Sequence, residues 1–195
     1  PEPSPELDLT QSGGVSRQAA GTTTYFLGEG GRVVAKTSAA KRAMARSWWE
    51  GDGVSGSPSV EISLSKQTAS FYKGGKLVGL SAVSTGREAG TTPTGSFSVT
   101  QKSRHHRSNL YGDYVGPDGQ PVVSNVDVYR DKKPEGTTFL GAPMPYFMRI
   151  VNGVGLHEGF LPGFPDSHGC IRMPEEMAAN FFANVNVGTP VRVVR

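Results

Sequence analysis

The sequence lacks a second cysteine: Cys170 is the only one among 195 residues, so no intramolecular disulfide can staple the fold. It contains no apolar run approaching the roughly 18 residues that a membrane span requires. It also lacks any block of like charges. The net charge is only +3, and the densest basic stretch, Lys102 to Arg107, is interrupted by Ser103, His105 and His106. Together with the missing aromatic-basic motif, this argues against a nucleic-acid partner. The 36% hydrophobic content excludes wholesale disorder, and the length suffices to bury a core without staples. The chain opens Pro-Glu-Pro-Ser-Pro-Glu, with neither an initiator methionine nor an apolar signal region. That opening suggests a targeting segment already removed.

What is abundant is glycine and proline, 26 and 14 residues, about a fifth of the chain. That composition predicts a mainly β, turn-rich domain with one or two short helices. Residues 1–24 read as a flexible lead-in. Thr37 and Ser38 can cap a helix near 38–49, in which Ala40, Met44 and Trp48 fall four apart. Residues 1–58 are therefore read as an extension and residues 59–195 as the main domain.

From Ser59 the period becomes two. Val60, Ile62 and Leu64 alternate with polar residues, as in a strand with one buried face. Ala69–Lys73 and Lys76–Val83 flank Gly74-Gly75, a hairpin signal because a primed turn needs positive φ at both positions. Further strands are expected at Ser96–Thr100, Val122–Tyr129, Tyr146–Val151 and Val191–Val194. The polar stretch from Arg104 to Gly119 reads as a long loop covering something, with His105 and His106 solvated on it and substrate contact as their minority alternative. A helix is expected after Cys170, with Pro174 in its first turn, Glu175 and Glu176 complementing its dipole, and Met177, Ala178, Phe181, Phe182 and Val185 as its apolar stripe.

Three readings of Cys170 stay open on residue type: inert packing, a metal ligand or a nucleophile. It sits in Asp166-Ser167-His168-Gly169-Cys170-Ile171-Arg172-Met173, and His157 lies upstream in Gly155-Leu156-His157-Glu158-Gly159. A thiol attacks as thiolate, which a nearby histidine generates and a helix N-terminus favours. Gly169 lets the backbone turn so that the amides of Gly169 and Cys170 converge on an oxyanion. His157, His168 and Cys170 would make three ligands of a zinc site, but no second cysteine supports it. No metal and no cofactor are expected.

Ser167-His168-Gly169-Cys170-Ile171-Arg172-Met173, with His157 upstream, resembles the active-site signature of the L,D-transpeptidase catalytic domain, also called the YkuD or ErfK/YbiS family. Ser84-Thr85-Gly86 with Thr92-Pro93-Thr94-Gly95-Ser96-Phe97 is similar to that family's turn and strand. Met144-Pro145-Tyr146-Phe147-Met148-Arg149 resembles the strand leading to the histidine. The likeness covers residues 59–195 and implies a β-sandwich-like catalytic domain.

By position, the resemblance makes Cys170 the nucleophile, His157 its base, the amides of Gly169 and Cys170 the oxyanion hole, His168 an assisting residue and Ser167 the loop's staple. It offers Arg172 for a substrate carboxylate, with a structural salt bridge as the equal alternative. Tyr146 and Arg149 would line the donor cleft, ordinary strand packing being the alternative for Tyr146. Glu158 departs from the small residue usual in the family, and its charge is expected to raise the His157 pKa or to repel an acidic donor.

The activity so implied is acyl transfer on peptidoglycan. The cysteine attacks the carbonyl after the L-centre of meso-diaminopimelate in a tetrapeptide stem, releases D-alanine and forms a thioester. An amine resolves it, from a second stem in a 3→3 cross-link or from a lipoprotein. Two alternatives remain: an L,D-carboxypeptidase that uses water, and a non-catalytic peptidoglycan-binding module. An exported location, in a bacterial periplasm or cell envelope, follows from the same resemblance.

Overall fold

The computed structural model describes residues 45–195 in full, together with the backbone of three short strands upstream. These three, β1 (Arg17–Gln18), β2 (Thr24–Leu27) and β3 (Val33–Ala35), form an antiparallel sheet in the order β1-β2-β3. The lead-in expected over residues 1–24 is thus described only at Arg17–Gln18 and Thr24, which are strand, and the rest lies outside the described residues.

The chain is mostly β, as its composition implies. Strands β4 (Trp48–Trp49), β5 (Pro58–Ser63), β6 (Thr68–Lys73), β7 (Lys76–Ala82), β8 (Gly95–Ser98) and β14 (Pro190–Val194) build a six-stranded sheet in the order β4-β7-β6-β5-β14-β8. Alternation is realised residue by residue, with Val60, Ile62, Ala69 and Phe71 all buried. Gly74 and Gly75 take φ of +57° and +82°, the primed turn that joins β6 to β7. The last strand slots between β5, to which it runs parallel, and β8, to which it runs antiparallel.

A second sheet holds β9 (Gln101–Val115), β10 (Pro121–Asp127), β11 (Thr138–Val151), β12 (Val154–Glu158) and β13 (Ile171–Met173), in the order β10-β9-β11-β12-β13. One helix is found among the described residues, α1 (Glu175–Asn184), with Pro174 just outside it as the N-cap. Its buried residues Met177, Ala178 and Phe181 face the core. There the Phe181 ring stands 4.9 Å from Phe71, edge to face, and both are fully buried. Each such side chain stabilises the fold by about 2 kcal/mol through apolar burial alone.

Two expectations need correction. The helix expected near 38–49 lies outside the described residues over positions 38–44, and its last two residues are strand β4, paired Trp48 to Leu80 and Trp49 to Gly79. Tertiary packing overrides the helical spacing here. The Trp49 ring lies over Gly79, where an added Cβ would come within 2.6 Å of it, and it meets Phe71 at 5.1 Å. The six-stranded sheet therefore starts upstream of residue 59.

The stretch from Arg104 is likewise no loop: Gln101–Val115 is one 15-residue strand in a ribbon with β10 and β11. Most of it is only partly buried or exposed, so it carries no alternating apolar signal.

Candidate active site

The loop carrying Cys170 is held by a segment distant in sequence. Ser84 bridges Arg172 and Gly86 bridges Ser167, while the Thr85 carbonyl accepts from the amides of Asp166 and Ser167. Inside the loop, the Ser167 hydroxyl donates to the Cys170 carbonyl at 2.5 Å and accepts from the Gly169 amide at 3.0 Å. Gly169 is glycine for two reasons. Its φ is +143°, and a Cβ there would lie 2.6 Å from the Thr91 carbonyl oxygen.

Register delivers the histidine. Strands β12 and β13 run parallel with Leu156 opposite Ile171 and His157 opposite Arg172, so the end of β12 lies beside the cysteine loop. Cys170, His157, His168, Gly169, Ser167, Arg172 and Arg149 all line one cleft of about 630 Å³. Tyr146 is not among its lining residues. Its ring stands 5.8 Å from Phe182 of α1, under the Arg104 guanidinium, with a backbone φ of +56°. This is the packing alternative weighed for Tyr146.

His157 is 6% exposed, and its Nδ1 lies 2.6 Å from the Glu158 carbonyl oxygen. A carbonyl can only accept, so Nδ1 carries the proton and Nε2 keeps its lone pair. Burial lowers the His157 pKa to about 4, the hydrogen bond to Glu158 pulling it partly back up and the charges of Arg172 and His106 pushing it further down. The rise expected from Glu158 is therefore reversed: desolvation of the imidazolium dominates.

Burial likewise pushes the Cys170 thiol up, opposed by a hydrogen bond from the Gly155 amide and by the charges of Arg172 and Arg149. Its Sγ lies 3.5 Å from the Gly153 carbonyl. At neutral pH both the thiol and the imidazole are uncharged at rest. The helix N-terminus does not help the thiolate, because β13 separates Cys170 from the start of α1. The Gly169 amide, occupied by Ser167, is not directed at an oxyanion site in this arrangement.

Arg172 makes the salt bridge weighed at the outset, with one guanidinium nitrogen 3.0 Å from the Asp166 carboxylate, while still lining the cleft. Arg149 donates from Nε to Gln101 at 2.8 Å and from a terminal nitrogen to the Asn152 carbonyl at 2.5 Å. His168 stacks on Tyr111 at 4.1 Å and 8°, and burial, then Arg87 and Arg172, lower its pKa.

Tyr111, Tyr129 and His106 also line the cleft; the sequence reading missed the two tyrosines and held substrate contact only as the lesser alternative for His106. His106 is no solvated loop residue: it lies flat on Phe147 at 4.2 Å, and burial, then Arg149, lowers its pKa. No spacing signal was available: His106 and Tyr111 are an odd number of residues apart, which puts them on opposite faces of a regular strand, and the register irregularity between Arg107 and Gly112 lets both line the cleft. Among the described residues no group of three or more His, Cys, Asp or Glu is placed to hold a metal ion.

A family model for the L,D-transpeptidase catalytic domain (YkuD) matches residues 57–193. No curated protein sequence matches the chain. Among solved structures, L,D-transpeptidase 3 of Mycobacterium tuberculosis, in complex with a faropenem-derived adduct, is 25% identical with a TM-score of 0.51, over 71% of this chain and 61% of that one. An L,D-transpeptidase of Xylanimonas cellulosilytica shares the fold at 24% identity and TM-score 0.52, over 73% and 62% of the two chains. One from Stackebrandtia nassauensis does so at 19% and 0.54, over 80% and 65%. The present chain thus matches about three fifths of the length of each.

Proposed function

The chain belongs to the L,D-transpeptidase catalytic domain family, and on that footing we propose that it is a cysteine acyltransferase acting on peptidoglycan stem peptides in the bacterial periplasm or cell envelope. One observation carries the proposal. Cys170 and His157 line the same cleft, and the Nδ1 contact to the Glu158 carbonyl leaves Nε2 of a neutral imidazole as the acceptor for a proton.

The reaction then runs in two halves. Nε2 of His157 takes the proton from Sγ as sulfur bonds to the carbonyl carbon after the L-centre of diaminopimelate, and the carbonyl electrons move to oxygen. The oxyanion accepts from the Cys170 amide. On collapse the C–N bond breaks, the imidazolium returns its proton to the departing D-alanine amine, and a thioester remains on Cys170. An amine of a second stem, or of a wall-anchored protein, attacks the thioester, gives its proton to His157 and expels the thiolate, which is reprotonated. A low His157 pKa keeps the imidazole free base at neutral pH and makes the imidazolium a strong proton donor to the leaving amine, while it weakens the same imidazole as a base toward the Cys170 thiol.

Arg172 keeps guanidinium donors beyond the one on Asp166 and supplies positive charge for a stem carboxylate. Arg149 adds charge to the same wall. His168, stacked on Tyr111, shapes the entrance beside the sulfur. Ser167 holds the nucleophile's loop.

The test is intact-mass analysis after incubation with a carbapenem, which acylates the nucleophile of this family. The chain should gain one β-lactam mass, and Cys170→Ala should abolish the gain. A parent chain that stays unmodified and leaves tetrapeptide stems intact would sink the proposal.

A further inference from the structure

Thr92 lies outside the cleft lining, yet it is joined to the active loop by the shortest contact between its flanking segment and that loop. The residue is 3% exposed, and its hydroxyl accepts from the Gly86 amide at 2.9 Å and stands 2.6 Å from the Gly169 carbonyl oxygen. The polarity is unambiguous. An amide can only donate and a carbonyl can only accept, so the single hydroxyl proton of Thr92 goes to Gly169.

The Gly169 carbonyl and the Cys170 amide belong to one peptide unit, which is planar and trans, so the two bonds point in opposite directions. Anchoring the carbonyl on Thr92 therefore aims the Cys170 N–H away from Thr92. The neighbouring unit offers no substitute, since the Gly169 amide is bound to Ser167. We propose that Thr92 is a positioning residue that sets the direction of the Cys170 amide and so aligns the donor for the oxyanion, an inference that rests on the acyl-transfer reading above.

Around it, Thr91 fills the space that a Gly169 side chain would occupy, and Thr92 in turn is fixed by Gly86, which bridges Ser167. The loop's peptide plane is thus clamped between a hydroxyl on one side and the cleft on the other. Preorganised donors of this kind act only if they are aimed at the oxygen before charge develops.

The experiment separates an aimed amide from a merely intact loop. In Thr92→Val, which keeps the shape and removes the hydroxyl, Cys170 acylation by a carbapenem should slow on the order of tenfold to a hundredfold. Alkylation of Cys170 by iodoacetamide, a displacement that forms no oxyanion, should stay within about twofold of the parent. Thr92→Ser, which restores the hydroxyl, should recover most of the acylation rate.

Parental acylation in Thr92→Val overturns the inference, as does a parallel fall of acylation and alkylation, or a failure of Thr92→Ser to recover the rate. If the parent itself is not acylated while its thiol still alkylates, the acyl-transfer reading fails first and the role of Thr92 falls with it.

Discussion

His157 should make this fold acid-sensitive by a calculable amount. The imidazole is buried, with a pKa of about 4 against 6.5 for an ordinary histidine. A depressed histidine pKa means that the folded state resists the proton which the unfolded state accepts. Above pH 6.5 neither form is charged and the stabilisation is complete. As pH falls from 6.5 toward about 4, the unfolded chain binds a proton that the folded chain refuses, and stability falls by about 1.4 kcal/mol per pH unit. Across the window this reaches about 3 kcal/mol, a sizeable share of a typical domain's 5–15 kcal/mol.

Carboxylates and the other histidines also titrate there, so the assay is a comparison. Urea unfolding of the parent and of His157→Asn, which can still donate to the Glu158 carbonyl, should be followed at pH 7 and pH 4. The stability gap between the two should shift by about 3 kcal/mol against the parent in acid. A gap that moves by less than about 1 kcal/mol, or moves in the parent's favour, would show that the folded imidazole is charged. That result would refute both the desolvation argument and the neutral base.

Two further substitutions probe the frame of the site. Trp49→Ala removes a ring that packs on Phe71 and Phe181 and should cost about 3 kcal/mol, lowering the melting temperature by roughly 6–12 °C; a loss under about 1 kcal/mol would contradict the packing of β4. Gly169→Ala forces a side chain into a φ of +143° and toward the Thr91 carbonyl, so acylation of Cys170 should fall about a hundredfold, and an acylation rate near the parent's would show that the loop tolerates a Cβ.

The parts legible in the sequence are those whose chemistry is local. Strands β5 to β7 show because Val60 and Ile62 alternate with polar residues and Gly74-Gly75 can form only a few turns. The cysteine loop shows because its residue types are unusual together. What escaped depends on partners far along the chain. Gln101–Val115 hides as a strand because so little of its surface is buried, and with it went His106 and Tyr111. Trp48–Trp49 pairs with Leu80 and Gly79 of β7, a partnership that no local spacing announces. Tyr146 was drawn to the cleft by its place in a motif, whereas its backbone at φ of +56° turns the ring to α1. The oxyanion donors were counted as two because sequence cannot show that Ser167 already holds one of them.

The most direct test of the central claim is turnover of a defined tetrapeptide stem, followed by mass spectrometry of protein and products together. The account predicts a thioester on Cys170 with release of terminal D-alanine, a 3→3 linked dimer when a second stem is supplied, and neither with Cys170→Ala. Recovery of the intact stem from the parent chain, to the same extent as from Cys170→Ala, would contradict it.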